Sequence, residues 1–252
     1  RTPGIFEIAS TNGSFLLIFL SFAFSKLYFS MNSYSFNKYL LFIALIVFLI
    51  FCTLTRRIYL CLFITTFLFM LFKIMKKPTI NRILIFSLNI CIIFVTMFFL
   101  NIQFPGIFSL DSFYARLSFW YFSINNIIGE NILNLFVGLG VLQSSMQHSI
   151  MSLYSYSILD NGFIECIMHS GLLFTLIFII YLLSLFSDNM KFLKFDSNCE
   201  YNWIPLFNIF MLTNMIILMT FGTFIFSLTE SYIYFFLINY LTKYYYEYKV
   251  LK

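Results

Sequence analysis

The chain of 252 residues is 61% hydrophobic and 10% charged, whereas about 45–50% apolar and about 25% charged residues are usual in a soluble domain. This composition excludes a soluble globular fold, because a core of this size could not hide so much apolar surface from water. The net charge of +5 does not indicate a nucleic-acid partner, since the basic residues stand at the ends of apolar runs and form no stripe.

Apolar segments follow one another along the chain, and most of them reach or approach the ~17–20 residues with which a helix crosses a bilayer. We therefore predict an all-α polytopic membrane protein with about seven transmembrane helices, at Ser14–Met31, Tyr39–Leu54, Ile58–Met75, Ile83–Leu100, Gly162–Phe186, Ile204–Phe221 and Ser231–Leu241. The second and third segments would be far too long as one straight helix. The pair Arg56-Arg57 between them therefore predicts a tight turn at a membrane face.

The basic residues are divided unequally between the two sides that this topology creates. With the N-terminal segment outside, eleven of the 15 Lys and Arg residues lie inside and four outside, which is a positive-inside bias. Ten of the inner residues are lysines, whereas the outer ones are all arginines: Arg1, Arg56, Arg57 and Arg116. Because the arginine fork binds two phosphate oxygens at once, this pattern predicts an outward-facing site for a phosphate-bearing ligand, with a chance distribution as the alternative.

Residues 101–161 form one large loop that this topology places outside. Within it, Ile107–Ile128 shows the apolar spacing of an amphipathic helix, with Trp120 on the apolar face and Arg116 on the polar face. Such a helix lies at the bilayer surface either as a plain anchor or with its arginine facing an aqueous cavity. Phe136-Val-Gly-Leu-Gly140 follows, and we interpret its two glycines as a loop hinge, since a dinucleotide site needs a third glycine and a βαβ context.

The loop ends in a group of polar residues where the fifth predicted span begins. Asn161, Glu165 and His169 are spaced four residues apart and so share one helix face. A carboxylate at the mouth of a membrane helix is costly unless it is paired or functional, so Asp160 and Glu165 are candidate site residues. The alternative for Asp160 is a helix cap. His148, earlier in the loop, is either a reserve base or a loop histidine bonded to backbone carbonyls.

Several chemistries lack support in the sequence. The five cysteines are scattered and there are two histidines, so we expect no metal site. No Asp-x-Asp appears for metal-bridged nucleotide sugars, and no G-x-x-x-x-G-K appears for an ATP motor. We expect no cofactor.

The ordered motifs resemble the O-antigen polymerase and ligase superfamily of bacterial envelope glycosyltransferases. Four stretches carry the resemblance: Arg1-Thr-Pro-Gly4-Ile-Phe6 with Ser10-Thr-Asn12, Thr53-Leu-Thr-Arg56, Arg116-Leu-Ser-Phe-Trp120 with Phe136-Val-Gly-Leu-Gly140, and Asp160-Asn-Gly-Phe-Ile164 through Gly171-Leu-Leu173. Ala9-Ser10-Thr11 departs from the family pattern, which has a proline there. The resemblance covers residues 1 to 173 and implies a fragment, residues 1–252, that forms a single transmembrane domain without the N-terminal spans of the family.

The resemblance implies a GT-C-like enzyme of the bacterial inner membrane that polymerises undecaprenyl-pyrophosphate-linked repeat units on the periplasmic face. Its implied partners are the lipid-linked glycan donor and acceptor, membrane lipid and a chain-length regulator protein. The implied catalytic residues are Asp160, as the base for the acceptor hydroxyl, and Arg116, at the departing pyrophosphate. The implied substrate-binding residues are Arg1, Arg56, Arg57, Trp120, His148, Asn161 and Glu165.

Two other functions fit part of this pattern. A transporter or flippase of lipid-linked sugars would also place arginines in a cavity, but such folds carry their charges near the midplane of the bilayer. The predicted spans are nearly free of charge at that depth. An O-antigen ligase would share the arginines. The ligases of this superfamily look to have histidine at the position of Asp160, so the aspartate favours the polymerase.

Overall fold

A computed structural model describes residues 9–29, 33–53, 55–76, 118, 121, 125, 132–140, 161–193, 201–220 and 228–250. Between its short turns this part of the chain is helical, with no strand. In chain order the helices are α1 Ala9–Phe29, α2 Ser33–Cys52, α3 Arg56–Lys76, α4 Ile132–Val137, α5 Gly162–Phe192, α6 Trp203–Thr220 and α7 Leu228–Val250.

The all-α prediction is confirmed for the described residues. Within the described residues, four stretches are long and apolar enough to cross a membrane: Thr11–Phe29, Arg57–Ile74, Gly162–Phe192 and Trp203–Thr220. The predicted span Ile83–Leu100 lies outside the described residues, as does most of the amphipathic segment Ile107–Ile128, so the count of seven spans stays a prediction. The described residues 118, 121 and 125 of that segment are helical and exposed.

The predicted turn between the second and third apolar segments is confirmed. Helix α2 ends at Cys52 and α3 begins at Arg56. Thr53 closes the end of α2, since both its amide (3.0 Å) and its hydroxyl (2.8 Å) donate to the Ile50 carbonyl. The Tyr59 hydroxyl then donates to the Phe51 carbonyl at 2.9 Å, which holds the first turn of α3 against the last turn of α2.

Helix α6 lies at the centre of the bundle. Its neighbours are α1, α3, α5 and α7, and nearly every one of its side chains from Ile204 to Met219 is buried. By contrast, α2 and α5 expose large apolar side chains such as Leu41, Phe48 and Ile177. Exposed apolar faces of this extent are typical of helices that are surrounded by lipid rather than water.

Polar side chains connect α6 to its neighbours within this apolar core. Asn214 accepts a hydrogen bond from the Thr65 hydroxyl of α3 at 2.7 Å and donates to the Ser21 hydroxyl of α1 at 3.2 Å. Asn208 donates to the Asn189 side chain of α5 and to the Thr242 hydroxyl of α7, both at 3.0 Å. These two asparagines therefore fix the positions of four surrounding helices.

The described lysines lie at one end of the bundle, which we call the lysine end; its members are Lys26, Lys38, Lys73, Lys191 and Lys243. The Lys26 ammonium stands 4.1 Å from the centre of the Trp203 ring at the start of α6. The Tyr245 hydroxyl in turn lies 3.2 Å from the Asn202 side chain, beside the same helix start. The described side chain of Arg57 belongs to the opposite end, about 24 Å along α3 from Lys73.

Candidate functional site at a broken helix

The start of α5, at the end opposite to the lysines, is fixed by Asn161. The side-chain oxygen of Asn161 accepts hydrogen bonds from the Phe163 amide at 3.0 Å and from the Ile164 amide at 3.1 Å. This is the geometry of a helix N-cap. The cap is therefore Asn161 and not Asp160, so the capping alternative for Asp160 is wrong. We predicted from the sequence that Asn161 binds substrate. In the structure its side-chain oxygen accepts hydrogen bonds from the helix itself.

Helix α5 is broken at Gly171. This residue has φ 83° and ψ 167°, a backbone conformation that essentially only glycine adopts. The break divides α5 into a short N-terminal part, residues 162–170, and a longer part, residues 172–192. The apolar residues of the longer part, Leu172–Phe186, extend about 22 Å and so cross most of the ~30 Å hydrocarbon core of a bilayer. The short part therefore stands at the mouth of the span.

The glycine loop 136–140 docks directly on this break. The Leu139 amide donates to the Met168 carbonyl at 2.7 Å, which satisfies a carbonyl that the break leaves without its helical partner. A Cβ atom on Gly138 would lie 2.6 Å from both the Gly171 nitrogen and the His169 oxygen. Gly138 and Gly171 thus allow the two backbones to touch, at a place where any side chain would separate them.

Glu165 and His169 lie beside this junction. The Glu165 Oε1 atom is 3.9 Å from His169 Nε2, too far for a hydrogen bond. The other carboxylate oxygen, Oε2, is buried and has no hydrogen-bond partner among the described residues, and the residue as a whole is only 7% exposed. Because a buried carboxylate that is not fully paired costs several kcal/mol, Glu165 is a candidate functional residue.

Most of the predicted site residues fall outside the described part of the chain. This applies to Arg1, Arg116, Trp120, His148 and Asp160. Arg56 begins α3, but its side chain also lies outside what the structure describes, so the clustering of the arginines stays a prediction. The Arg57 side chain is half-buried and forms no ion pair with a described carboxylate. It lies at the same end of the bundle as Glu165 and His169.

The sequence did not predict the contact between the glycine loop and α5. Gly138 and Gly140 were interpreted as a hinge, and Gly171 as part of a continuous span. The signal that could have found the contact is the presence of glycines in both motifs, since close approach of two backbones requires them on each side. Among the described residues, no three His, Cys, Asp or Glu side chains come together as a metal site would require.

The helices and this junction define the class of the protein. It is all-α in its described part, with four helices long and apolar enough to cross a membrane, one of them broken where a glycine loop docks. No family model, curated protein or solved structure matches the chain.

Proposed function

We propose that the chain belongs to a metal-independent membrane glycosyltransferase that polymerises undecaprenyl-pyrophosphate-linked repeat units into O-antigen or a related surface polysaccharide. In this proposal the chain is a GT-C-like bundle of about seven spans in the bacterial inner membrane. The end that holds Glu165 and Arg57 faces the periplasm, and the lysine end faces the cytoplasm. The separation of Arg57 from the described lysines supports this orientation, because cytoplasmic ends carry the excess of positive charge.

One observation carries the proposal. The two stretches 136–140 and 160–173 resemble the family in the sequence, although 19 residues lie between them. In the structure their glycines meet, with the Leu139 amide on the Met168 carbonyl, and a carboxylate with an unused oxygen stands one turn away. If the two stretches resembled the family by chance, we would not expect them to lie in contact beside a buried carboxylate.

The proposed reaction is a single displacement at the anomeric carbon of the donor sugar. A hydroxyl of the acceptor glycan attacks the anomeric carbon of the donor, the bond from that carbon to the pyrophosphate oxygen breaks, and the hydroxyl proton passes to a carboxylate. Asp160 is the proposed base, with Glu165 in reserve. Arg116, with the other outer arginines, neutralises the charge that develops on the departing pyrophosphate.

The complete protein, expressed in a bacterium that lacks its own polymerase, tests this proposal. Arg116→Lys keeps the charge but removes the planar fork, so we expect the polysaccharide ladder on a gel to collapse to a single repeat unit while the protein still inserts. Arg82→Lys is the matched control. Arg82 is predicted to lie on the cytoplasmic side of the membrane, away from the proposed site, so this variant should give the full ladder. A full ladder from Arg116→Lys would refute the arginine clamp.

Asp160→Asn tests the base separately. Since the N-cap is Asn161, the exchange at position 160 leaves the start of α5 intact, and loss of polymer then reports on proton transfer rather than on folding. A normal ladder from this variant would remove Asp160 from the proposed chemistry and leave Glu165 as the candidate base.

A transporter of lipid-linked sugars is the second candidate, and the break at Gly171 is the observation that favours it. Many secondary transporters bind their substrates at broken helices, near the midplane of the bilayer. The apolar part of α5 after the break, Leu172–Phe186, is about 22 Å long, which puts the break closer to the edge of a ~30 Å hydrocarbon core than to its midplane and favours the polymerase. A polymerase defect leaves single repeat units on the lipid core, whereas a flippase or ligase defect leaves the core bare.

A further inference from the structure

An exposed row of aromatic rings runs along α7. Tyr232, Phe236 and Tyr240 follow one another at four-residue intervals, so they lie on one face of the helix. Their ring centres are 6.3 and 5.7 Å apart and their planes differ by only 13° and 12°. The three residues are 71%, 54% and 56% exposed. The result is a continuous, nearly flat aromatic surface at the periphery of the bundle.

This ring row lies along an open, shallow groove of about 380 Å³ on the surface of α7. Its other lining residues are Phe235 and Asn239, and Lys243 stands at one end. The Asn239 side chain is held in place, since it accepts a hydrogen bond from the Tyr181 hydroxyl at 2.6 Å and donates to the Phe235 carbonyl at 2.8 Å. The hydrogen bond from Tyr181 therefore holds the groove-lining face of α7 against α5.

The dimensions of the groove fit one lipid chain. From Tyr232 to Tyr240 the helix rises about 12 Å, close to the ~15 Å thickness of one leaflet's hydrocarbon. Lys243 follows within one further turn, at the lysine end. An acyl chain lying along the ring row thus brings its headgroup to the level of the Lys243 ammonium.

The charge at the end of the groove selects the headgroup. Lys243 lies 3.8 Å from Glu247, and both side chains are exposed. An exposed pair of this kind is worth little, so a phosphate can take the place of the carboxylate. The other lysines of the lysine end add to the positive potential, which attracts anionic headgroups.

We propose that this groove binds one anionic phospholipid from the leaflet at the lysine end, with an acyl chain along Tyr232, Phe236 and Tyr240 and the phosphate on Lys243. The site is independent of the glycosyltransferase proposal. It holds whichever reaction the opposite end of the bundle performs.

Native mass spectrometry of the purified chain tests the headgroup contact, by counting phosphatidylglycerol and phosphatidylcholine retained after exchange into detergent. We expect Lys243→Gln to lower the retention of phosphatidylglycerol about fivefold and that of phosphatidylcholine much less, because the choline cation offsets the charge of its phosphate. Lys191→Gln is the matched control, since Lys191 is exposed at the same end and is paired with Asp188 at 3.1 Å, but lies on α5 and does not line the groove. Equal losses from the two variants would overturn the proposal.

Glu247→Gln gives a test of opposite sign. Removal of the competing carboxylate should raise the retention of phosphatidylglycerol, because Lys243 is then left to the lipid. A purely structural Lys243–Glu247 pair would show no gain, and absence of a gain counts against the site.

Phe236→Leu tests the ring row, because it removes the central ring from an exposed position with little effect on packing. We expect it to lower retention of phosphatidylglycerol, whereas Phe48→Leu, at a 64% exposed phenylalanine of α2, should have no effect. If the wild-type chain retains both lipids equally, or if it forms a dimer through this face that Phe236→Leu dissociates, the lipid site is refuted.

Discussion

Replacing Gly171 with alanine should break the contact between the glycine loop and α5. Its backbone conformation costs a non-glycine residue about 1–3 kcal/mol. A Cβ atom there would also overlap the Phe136 carbonyl oxygen and lie 2.6 Å from the Val137 carbonyl carbon. Because these neighbours are backbone atoms, the loop must move away, at a further ~1–3 kcal/mol. The expected loss of unfolding free energy is therefore roughly 2–6 kcal/mol.

Gly140→Ala is the matched control for this experiment. Gly140 also has a positive φ, of 76°, but a Cβ atom there would meet nothing within 4 Å. It should lose only about 1–2 kcal/mol, the cost of the left-handed conformation. Equilibrium unfolding in mixed micelles of a mild detergent and sodium dodecyl sulfate measures both variants.

The contact between the glycine loop and α5 also predicts the effect of a substitution on the loop side. Gly138→Ala should resemble Gly171→Ala, since its Cβ would lie 2.6 Å from the Gly171 nitrogen. The double variant should lose less than the sum of the two single losses, because either substitution alone already separates the backbones. If Gly171→Ala unfolds as easily as Gly140→Ala, or if the two losses add, the loop does not dock on α5 as described.

Three further predictions concern single side chains. Thr65→Ala should lower the unfolding free energy by about 0.6–2 kcal/mol, since the Thr65 hydroxyl bonds to Asn214 of another helix. The Thr66 hydroxyl bonds within its own helix, so Thr66→Ala should lower the unfolding free energy less. Equal losses from the two variants would contradict the interhelical role of Thr65. Asn161→Ala should lose about 0.5–2 kcal/mol while Asn161→Asp loses little, because aspartate also caps; thermal melting distinguishes them, and equal melting temperatures would refute the cap. Glu165→Gln should unfold no more easily than the parent, because the amide removes a buried charge with an unused oxygen, yet we expect it to impair polymer formation; an unchanged ladder on the gel would exclude Glu165 from the site.

Hydropathy was sufficient to predict where the six long described helices are, but not the short helix α4 and less so where helices end. The last predicted span stops at Leu241, whereas α7 continues to Val250. Its final turns carry lysine, glutamate and tyrosine, which lower the hydropathy without disfavouring a helix. The ion pair between Lys243 and Glu247, four residues apart, is typical of an exposed helix face. In the same way α5 extends past Phe186 to Phe192 through a polar stretch.

The arrangement of the helices could not be predicted from the same signal. Helix α6 is central and α2 peripheral, yet both are strongly apolar, because lipid and protein interior favour the same side chains. Asn208 and Asn214 are the residues that distinguish α6, since amides in an apolar helix need partners from other helices.

The candidate site was predicted in part. Glu165 and His169 share a helix face as their spacing indicated, and they lie close together. The break at Gly171 depends on a partner more than thirty residues earlier in the chain, and a single glycine in an apolar segment is compatible with an unbroken span. Only the three-dimensional contact with Gly138 distinguishes the two cases.

The enclosure of α6 has a consequence for biosynthesis. Its neighbours α1 and α3 are synthesised before it, but Thr242, which accepts a hydrogen bond from Asn208, belongs to α7, which is synthesised after it. The Tyr234 hydroxyl of α7 also donates to the Ser14 carbonyl of α1, at 2.8 Å. Helix α6 therefore lacks one of its hydrogen-bonding neighbours until the ribosome has completed α7. A truncation before Leu228 would leave an asparagine-bearing helix open on one side, a substrate for membrane quality-control proteases.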